Sequence, residues 1–235
     1  MALLAWIFGF IPGLLWLWFV YKKDKYEPEP VAMVLFVFAA GALSVIPAVM
    51  IESLFSGAMD IRSVESVNDA ARVSWLVAGL VEESMKFAVV MLIVWKRKGF
   101  DEPMDGIVYA AAAALGFASA ENVIYIYRFG AQVIIVRGVM STLGHLLFSS
   151  IWGYAIGRAR FDRKKRFSLL AKGFVLAAFF HGLYDFLVFT KVAASFGLYV
   201  LTVVLWNMLA RMMEDAEAKS PFAPKKKSRF SKFRM

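Results

Sequence analysis

Residues Leu80–Val90 read LVEESMKFAVV and place three charged side chains inside a long apolar run. The run covers residues 73–95, and about 20 residues suffice for a helix to cross the hydrocarbon core of a bilayer. Glu82, Glu83 and Lys86 therefore fall near the middle of a predicted span, where one charged side chain costs about 2.5–3.5 kcal/mol. Because ionisable residues inside a membrane usually serve a function, this run is the first candidate for a site.

A structural explanation accounts for only one of the two glutamates. Lys86 lies one helical turn from Glu82 and three residues from Glu83, so it can pair with a carboxylate on its own helix. The other carboxylate needs a different partner. Two neighbouring carboxylates in a medium of low dielectric constant cannot both ionise at low cost, so one of them is expected to hold a proton or bind a cation.

The composition indicates a membrane protein with several spans. The chain has 235 residues, of which 60% are hydrophobic and 16% aromatic, and its mean hydropathy is +0.64. Soluble domains are nearer one-half apolar. The absence of cysteine excludes disulfides, thiol chemistry and cysteine-ligated metals. The first apolar stretch, Leu3–Tyr21, lacks a small-residue cleavage site and is predicted to be a retained span.

The hydropathy pattern predicts an all-α polytopic bundle of about seven transmembrane helices. The predicted spans are 3–21, 31–51, 73–95, 105–127, 139–157, 168–190 and 193–212. When the loops are assigned to alternating sides, one side receives twenty lysines and arginines and the other receives five. Basic loops stay in the cytoplasm, so the N-terminus is predicted outside and the C-terminus in the cytoplasm.

The chain ends in a predicted basic cytoplasmic tail, residues 214–235. From Lys219 onward it carries seven lysines and arginines, with three phenylalanines between them. A basic arm can bind nucleic acid, but beside a membrane it more simply attracts anionic lipid head groups. We therefore expect contact with anionic lipids and no nucleic-acid partner.

Further polar residues lie in the fourth, fifth and sixth predicted spans. The fourth carries Glu121 and Asn122 after a run of alanines, and the small residues allow close helix packing. In the fifth, His145 belongs to a polar stripe at four-residue spacing, and in the sixth, His181 and Asp185 are one turn apart. These are the only two histidines of the chain.

The polar residues of these spans share one depth. Counted along the predicted spans at 1.5 Å per residue, the paired glutamates, both histidines and Glu121 lie between the midplane and the outer half of the membrane. Four helices therefore bring carboxylates and imidazoles into one layer. This arrangement predicts a polar cavity that opens outward.

Five segments, in order, resemble the PrsW family of bacterial intramembrane proteases over nearly the whole chain. They are FIPGLLWLW to YEPEP at Phe10–Pro30, EESMK at Glu82–Lys86, FASAEN at Phe117–Asn122, GH at Gly144–His145 and HGLYD at His181–Asp185. The wider superfamily includes the CAAX prenyl endopeptidases, which have a paired-glutamate helix followed by two histidine helices.

The resemblance implies that residues 1–213 are a protease domain in the bacterial cytoplasmic membrane. Glu82, Glu83, His145 and His181 would then hold the catalytic positions.

The supporting residues would be Lys86, Glu121, Asn122 and Asp185. Where those endopeptidases have an asparagine, this chain has Asp185, which puts a neutral amide donor for the oxyanion in doubt. The implied substrate is a single-pass anti-sigma factor, cut near its extracytoplasmic membrane boundary as the first step of regulated proteolysis.

The residues themselves leave the type of hydrolysis open. Peptide hydrolysis needs an activated water, a donor for the oxyanion and a proton for the leaving amine. A glutamate can act as the base, with His145 holding the water and His181, oriented by Asp185, polarising the carbonyl.

Alternatively, a divalent metal such as zinc activates the water, with ligands drawn from Glu83, Glu121, His145 and His181. We place the metal-free version first. A proton- or ion-coupled transporter is the alternative function, although no internal repeat supports it.

Overall fold

The computed structural model of the protein describes residues 2–56, 66–191 and 194–224, which contain no β-strand. Two of the helical segments have π-helical hydrogen bonding. In chain order the elements are α1 Ala2–Tyr21, α2 Val31–Leu43, α3 Val45–Ser56, α4 Val67–Arg72, the first π-helical segment Val73–Glu82, α5 Glu83–Ile93, α6 Pro103–Phe129, α7 Val133–Val136, the second π-helical segment Arg137–Ser141, α8 Thr142–Phe161, α9 Arg166–Thr190 and α10 Ala194–Ala218.

Helix α6 forms the centre of the bundle and packs against α1, α2 and α8. The alanine run Ala110–Ala114 is fully buried. At Gly116, a Cβ atom would collide with the carbonyl oxygen of Phe38 on α2. Small side chains let the two backbones touch, which is how membrane helices pack in the absence of a hydrophobic driving force between them. The close packing predicted for this span is confirmed.

Glycines also bring α8 against α6. A Cβ on Gly106 would meet the backbone of Gly153 and Gly157, and a Cβ on Gly157 would meet the carbonyl of Pro103. Because α9 packs against the other side of α8, the two histidine helices are neighbours. The glycine contacts therefore determine how near the imidazoles lie to the centre of the bundle.

Six helices of the described residues are long and apolar enough to cross a membrane. They are Leu3–Tyr21, Val31–Phe55, Pro103–Phe129, Val133–Phe161, Arg166–Thr190 and Phe196–Ala218. The third of the seven predicted spans is helical from α4 to α5, but it is not among the six and it contains Glu82, Glu83 and Lys86. The all-α polytopic bundle is confirmed, whereas the count of seven and the orientation stay predictions.

The boundary predicted between bundle and tail falls inside a helix. Helix α10 continues past residue 213 to Ala218, and a turn follows it. Residues 225–235, which hold most of the basic tail, lie outside the described residues, so its contact with lipid stays a prediction. The outer faces of the bundle expose apolar side chains such as Leu92 and Phe196, as expected of helices in a lipid environment.

Candidate active site

The paired glutamates lie where the first π-helical segment becomes α5. Glu82 is the last residue of that segment and Glu83 is the first of α5. Consecutive helical residues point in directions about 100° apart, so the two side chains enter different surroundings. Glu82 retains 8% of its surface and borders a cavity, whereas Glu83 is fully buried.

Four donors surround the carboxylate of Glu83. Ser149 Oγ and Trp152 Nε1 each donate to Oε2 at 2.7 Å. Oε1 accepts from Lys86 Nζ at 3.0 Å and from His181 Nδ1 at 2.9 Å. A carboxylate with every oxygen paired in this way is held in one position, so Glu83 is suited to orient other groups.

Lys86 is fully buried and joins three acceptors of the site. Its ammonium lies 3.1 Å from Glu82 Oε2, 3.0 Å from Glu83 Oε1 and 2.8 Å from His145 Nδ1. An ammonium has three N–H groups, so all of them have acceptors here. The predicted pairing of Lys86 with the glutamates of its own helix is present, and it reaches both.

The partners of the two histidines assign their tautomers. An ammonium can only donate, so His145 Nδ1 is the acceptor and Nε2 carries the proton, 3.1 Å from Glu121 Oε2. His181 donates through Nδ1 to Glu83, which leaves Nε2 unprotonated in the neutral ring. The rings of His145 and His181 are 5.0 Å apart.

Glu82, His145 and His181 form a group that can hold a metal ion. One ligand atom from each lies within 4.8 Å of the other two. Glu82 Oε2 is 3.7 Å from His181 Nε2 and 3.8 Å from His145 Nδ1. Two ligands on a tetrahedral zinc ion are about 3.4 Å apart, so small movements would complete the set.

Two features of this group bear on whether a metal fits. Asp185 Oδ2 also faces His181 Nε2, at 3.6 Å, so two carboxylate oxygens, of Glu82 and Asp185, converge on this nitrogen. No donor from the described residues bridges Asp185 and the ring. Converging acceptors of nitrogen and oxygen are what a zinc ion requires. A metal on His145 Nδ1 would displace the ammonium of Lys86 from that nitrogen, and the ammonium would keep its two carboxylates.

Of the four metal candidates proposed from the sequence, the structure groups His145 and His181 with Glu82. Glu83 is enclosed by its four donors. Glu121 makes an ion pair with Arg137 at 2.9 Å and lies on the far side of His145. Arg137 also stacks on the ring of Tyr125, which fixes the guanidinium at the cavity wall.

Two supporting residues behave differently from the sequence interpretation. Asn122 does not line the cavity; its amide donates to Thr142 Oγ1 at 2.9 Å and joins α6 to the start of α8. The sequence predicts that Asp185 orients His181, but the ring donates its hydrogen bond to Glu83 instead. Asp185 lies beyond hydrogen-bond distance and borders the cavity instead.

The cavity beside these groups has a volume of about 870 Å³. Glu82, Glu52, Glu121 and Asp185 line it, and Glu83 lies behind them. Among the described residues, the cationic side chains of this region are Lys86, Arg128 and Arg137. Because several carboxyl groups share one cavity of low dielectric constant, a bound cation or protons would reduce their mutual repulsion.

Sequence reasoning missed three contributors to the site and found no partner for a fourth. Trp152 looks apolar in a hydropathy profile, although its indole N–H reaches Glu83. Arg137 and Glu52 fall outside the predicted spans, so no periodic pattern marks them. The fourth is Ser149, which lies four residues after His145 on the polar stripe predicted for the fifth span; this spacing marks it as polar but does not identify its partner, Glu83.

Comparison with known proteins agrees with this geometry. The model of the PrsW family intramembrane metalloproteases matches residues 29–210. The chain belongs to the PrsW family. It is 36% identical to Protease PrsW of Geobacillus kaustophilus over 89% of this chain and 90% of the relative. It is 35% identical to Protease PrsW of Bacillus subtilis, over 89% and 94% respectively. No solved structure matches the chain.

Membership in the PrsW family identifies the protein as an intramembrane protease and a multi-pass protein of the bacterial membrane. It decides between the two functions left open by the sequence, in favour of the protease over the transporter. The family is described as one of metalloproteases, and Glu82, His145 and His181 form a group that can hold a metal ion.

Proposed function

We propose that the protein hydrolyses a peptide bond of a single-pass, anti-sigma-factor-like membrane protein near its extracytoplasmic boundary, as the first cut of regulated proteolysis. The observation that carries the proposal is the group of Glu82, His145 and His181 at the wall of a cavity of about 870 Å³. A cavity of this volume admits a few residues of an unwound substrate segment.

The two glutamates have different roles in this proposal. Glu82 borders the cavity and faces both imidazoles, so it is the carboxylate that takes a proton from the attacking water or holds a metal. Glu83 is a positioning residue, because it fixes the ring of His181 through Nδ1 and leaves Nε2 directed at the cavity.

The remaining charged groups set the state of the site. Lys86 donates a hydrogen bond to the carboxylate of each glutamate. Its third N–H group keeps His145 in the tautomer with a proton on Nε2. The ion pair with Arg137 positions the carboxylate of Glu121 beside the Nε2 proton of His145. A divalent cation such as zinc, held by Glu82, His145 and His181, would supply Lewis acidity to the water and the scissile carbonyl.

The test is cleavage of single-pass anti-sigma factors by the purified full-length protein in detergent. We expect one cut near the extracytoplasmic end of the substrate span, mapped by mass spectrometry. Glu82→Gln should reduce the rate about 10²–10⁴-fold, the range typical of general acid–base catalysis. The matched control is Glu214→Gln, an isosteric change at an exposed position of α10, which should cleave at the wild-type rate.

Two results would contradict the proposal. Cleavage by Glu82→Gln at the wild-type rate would remove Glu82 from the reaction. A cut at the cytoplasmic boundary of the substrate would place the reaction at the opposite side of the membrane.

A further inference from the structure

A second group of buried acids lies at the other end of α6, about 24 Å along the helix axis from Glu121. Asp24 follows α1, and Glu102 and Asp105 begin α6. One oxygen from each of the three lies within 4.8 Å of the others. All three side chains are at least 96% buried, and the catalytic cavity uses none of them.

Part of this group has an ordinary structural purpose. Glu102 and Asp105 form a capping box, in which each side chain accepts from a backbone N–H at the start of α6. Asp105 uses Oδ2 for this, accepting from the amides of Asp101 and Glu102 at 2.8 and 2.9 Å. Asp24 Oδ2 accepts weakly, at 3.4 Å, from the amide of Glu29.

The other oxygens of the two aspartates have no such explanation. Within the described residues, Asp24 Oδ1 and Asp105 Oδ1 are buried and accept no hydrogen bond from an N–H or hydroxyl group. The further side-chain contacts of Asp24 and Asp105 are with the carboxyl groups of Glu102 and Glu29, respectively. An unpaired carboxylate oxygen in the interior loses its hydration and gains nothing in return. A helix cap requires only one oxygen per residue, so the cap leaves these two atoms unexplained.

The described residues also provide no counter-charge for the group. Glu29 is buried beside it and accepts from Tyr109 at 2.6 Å, which makes a fourth carboxyl group. No lysine, arginine or histidine in the part of the chain that the structure describes forms an ion pair with any of the four.

We propose that Asp24, Glu102 and Asp105 bind one hard divalent cation of the Mg²⁺, Mn²⁺ or Ca²⁺ class. The donors are carboxylate oxygens alone, which these cations prefer over zinc. The cation takes the two unpartnered oxygens as ligands and neutralises the buried charge. Glu102 supplies the third ligand and also accepts from Ser220 Oγ, just after α10.

The site joins three distant parts of the chain. Asp24 belongs to the loop after α1, the other two ligands belong to α6, and Ser220 follows α10. A bound cation therefore closes this end of the bundle without touching the catalytic cavity. Its expected effect is on stability, because a ligand that binds only the folded state raises the unfolding temperature.

The experiment measures Mn²⁺ binding to the full-length protein in detergent by electron paramagnetic resonance. The background is Glu82→Gln, which removes one candidate ligand from the catalytic cavity. We expect one saturable Mn²⁺ ion per chain, competed by Mg²⁺ or Ca²⁺. Adding Asp24→Asn should weaken binding at least tenfold, because a ligand is lost. Glu27→Gln, exposed in the same loop, is the matched control and should bind within twofold.

Thermal unfolding gives an independent reading. Adding the cation should raise the unfolding temperature of the Glu82→Gln variant. In the variant that also carries Asp24→Asn, the cation should leave the unfolding temperature unchanged. If Asp24→Asn fails to fold, Glu102→Gln takes its place, because its amide oxygen can still accept at the helix cap. Absence of saturable Mn²⁺ binding in the Glu82→Gln background would overturn the proposal, and so would undiminished binding in both ligand variants.

Discussion

The same substitution at two adjacent positions, Glu82→Gln and Glu83→Gln, should have different consequences. At Glu83, glutamine exchanges one carboxylate oxygen for an NH₂ group. If the remaining oxygen keeps Ser149 and Trp152, the NH₂ group faces the donors of Lys86 and His181. Hydrogen bonds to charged groups contribute about 1.5–3 kcal/mol each, so losing two costs about 3–6 kcal/mol.

Glu82 has fewer bonds to lose. Among the described residues, its one direct hydrogen bond comes from Lys86, at 3.1 Å, and the oxygen of a glutamine can still accept it. Since a charge-assisted bond is roughly twice as strong as a neutral one, the change costs about 1 kcal/mol of stability. Activity should nevertheless fall about 10²–10⁴-fold, because the carboxylate that faces the cavity is gone.

Thermal unfolding of the purified variants in detergent measures the difference in stability. Cleavage of a single-pass substrate measures the loss of activity. We expect Glu82→Gln to be folded and inactive, and Glu83→Gln to unfold at a markedly lower temperature. The reasoning is refuted if Glu83→Gln unfolds at the wild-type temperature while Glu82→Gln does not fold.

Four further outcomes are expected. Ser149→Ala should lower cleavage several-fold by loosening the buried carboxylate, whereas Ser150→Ala, which loses only a bond to a backbone carbonyl, should leave cleavage unchanged. A strong chelator should abolish cleavage and zinc should restore it; full activity in the chelator would show that hydrolysis is metal-free. Gly116→Ala should lower the unfolding temperature because its Cβ meets the backbone of α2, and Gly99→Ala, which has open space, should not. A reporter fused at Asp60 should read as extracytoplasmic and a C-terminal fusion as cytoplasmic; reversal of both would overturn the predicted orientation.

The residues that meet in the site were predictable as a group, because a charge inside an apolar run is costly. Hydropathy alone marks Glu82, Glu83, His145 and His181 as intramembrane, and counting along the spans gives them a common depth. Glycine and alanine then indicate which helices approach closely. These arguments depend on periodicity and composition, which can be determined from the sequence without knowing which helices are neighbours.

The partners of those residues were not predictable, because a partner is a property of the packed bundle. Trp152 reaches Glu83 only because α8 presents its indole to α5, and a hydropathy profile counts tryptophan as apolar. Arg137 lies in the second π-helical segment, outside any predicted span, yet it makes the ion pair with Glu121. The acids Asp24 and Glu102 look like ordinary loop residues until three segments converge on them.

The direction of Glu82 and Glu83 relative to the preceding helix α4 depends on a local feature that helical periodicity cannot reveal. The ten residues before Glu83 form π-helical hydrogen bonds, from residue i to i+5, and regular α-helical bonding resumes at Glu83. Each such bond changes the angle between successive side chains, so the direction of residue 82 relative to α4 differs from that of an unbroken α-helix. An α-helical projection from the sequence therefore assigns the wrong faces from Val73 onward. The separation of Glu82 from Glu83 needs only the angle of about 100° between consecutive helical residues. The π-helical segment, of a kind that is rare and often found at functional sites, changes the direction in which this pair lies relative to α4.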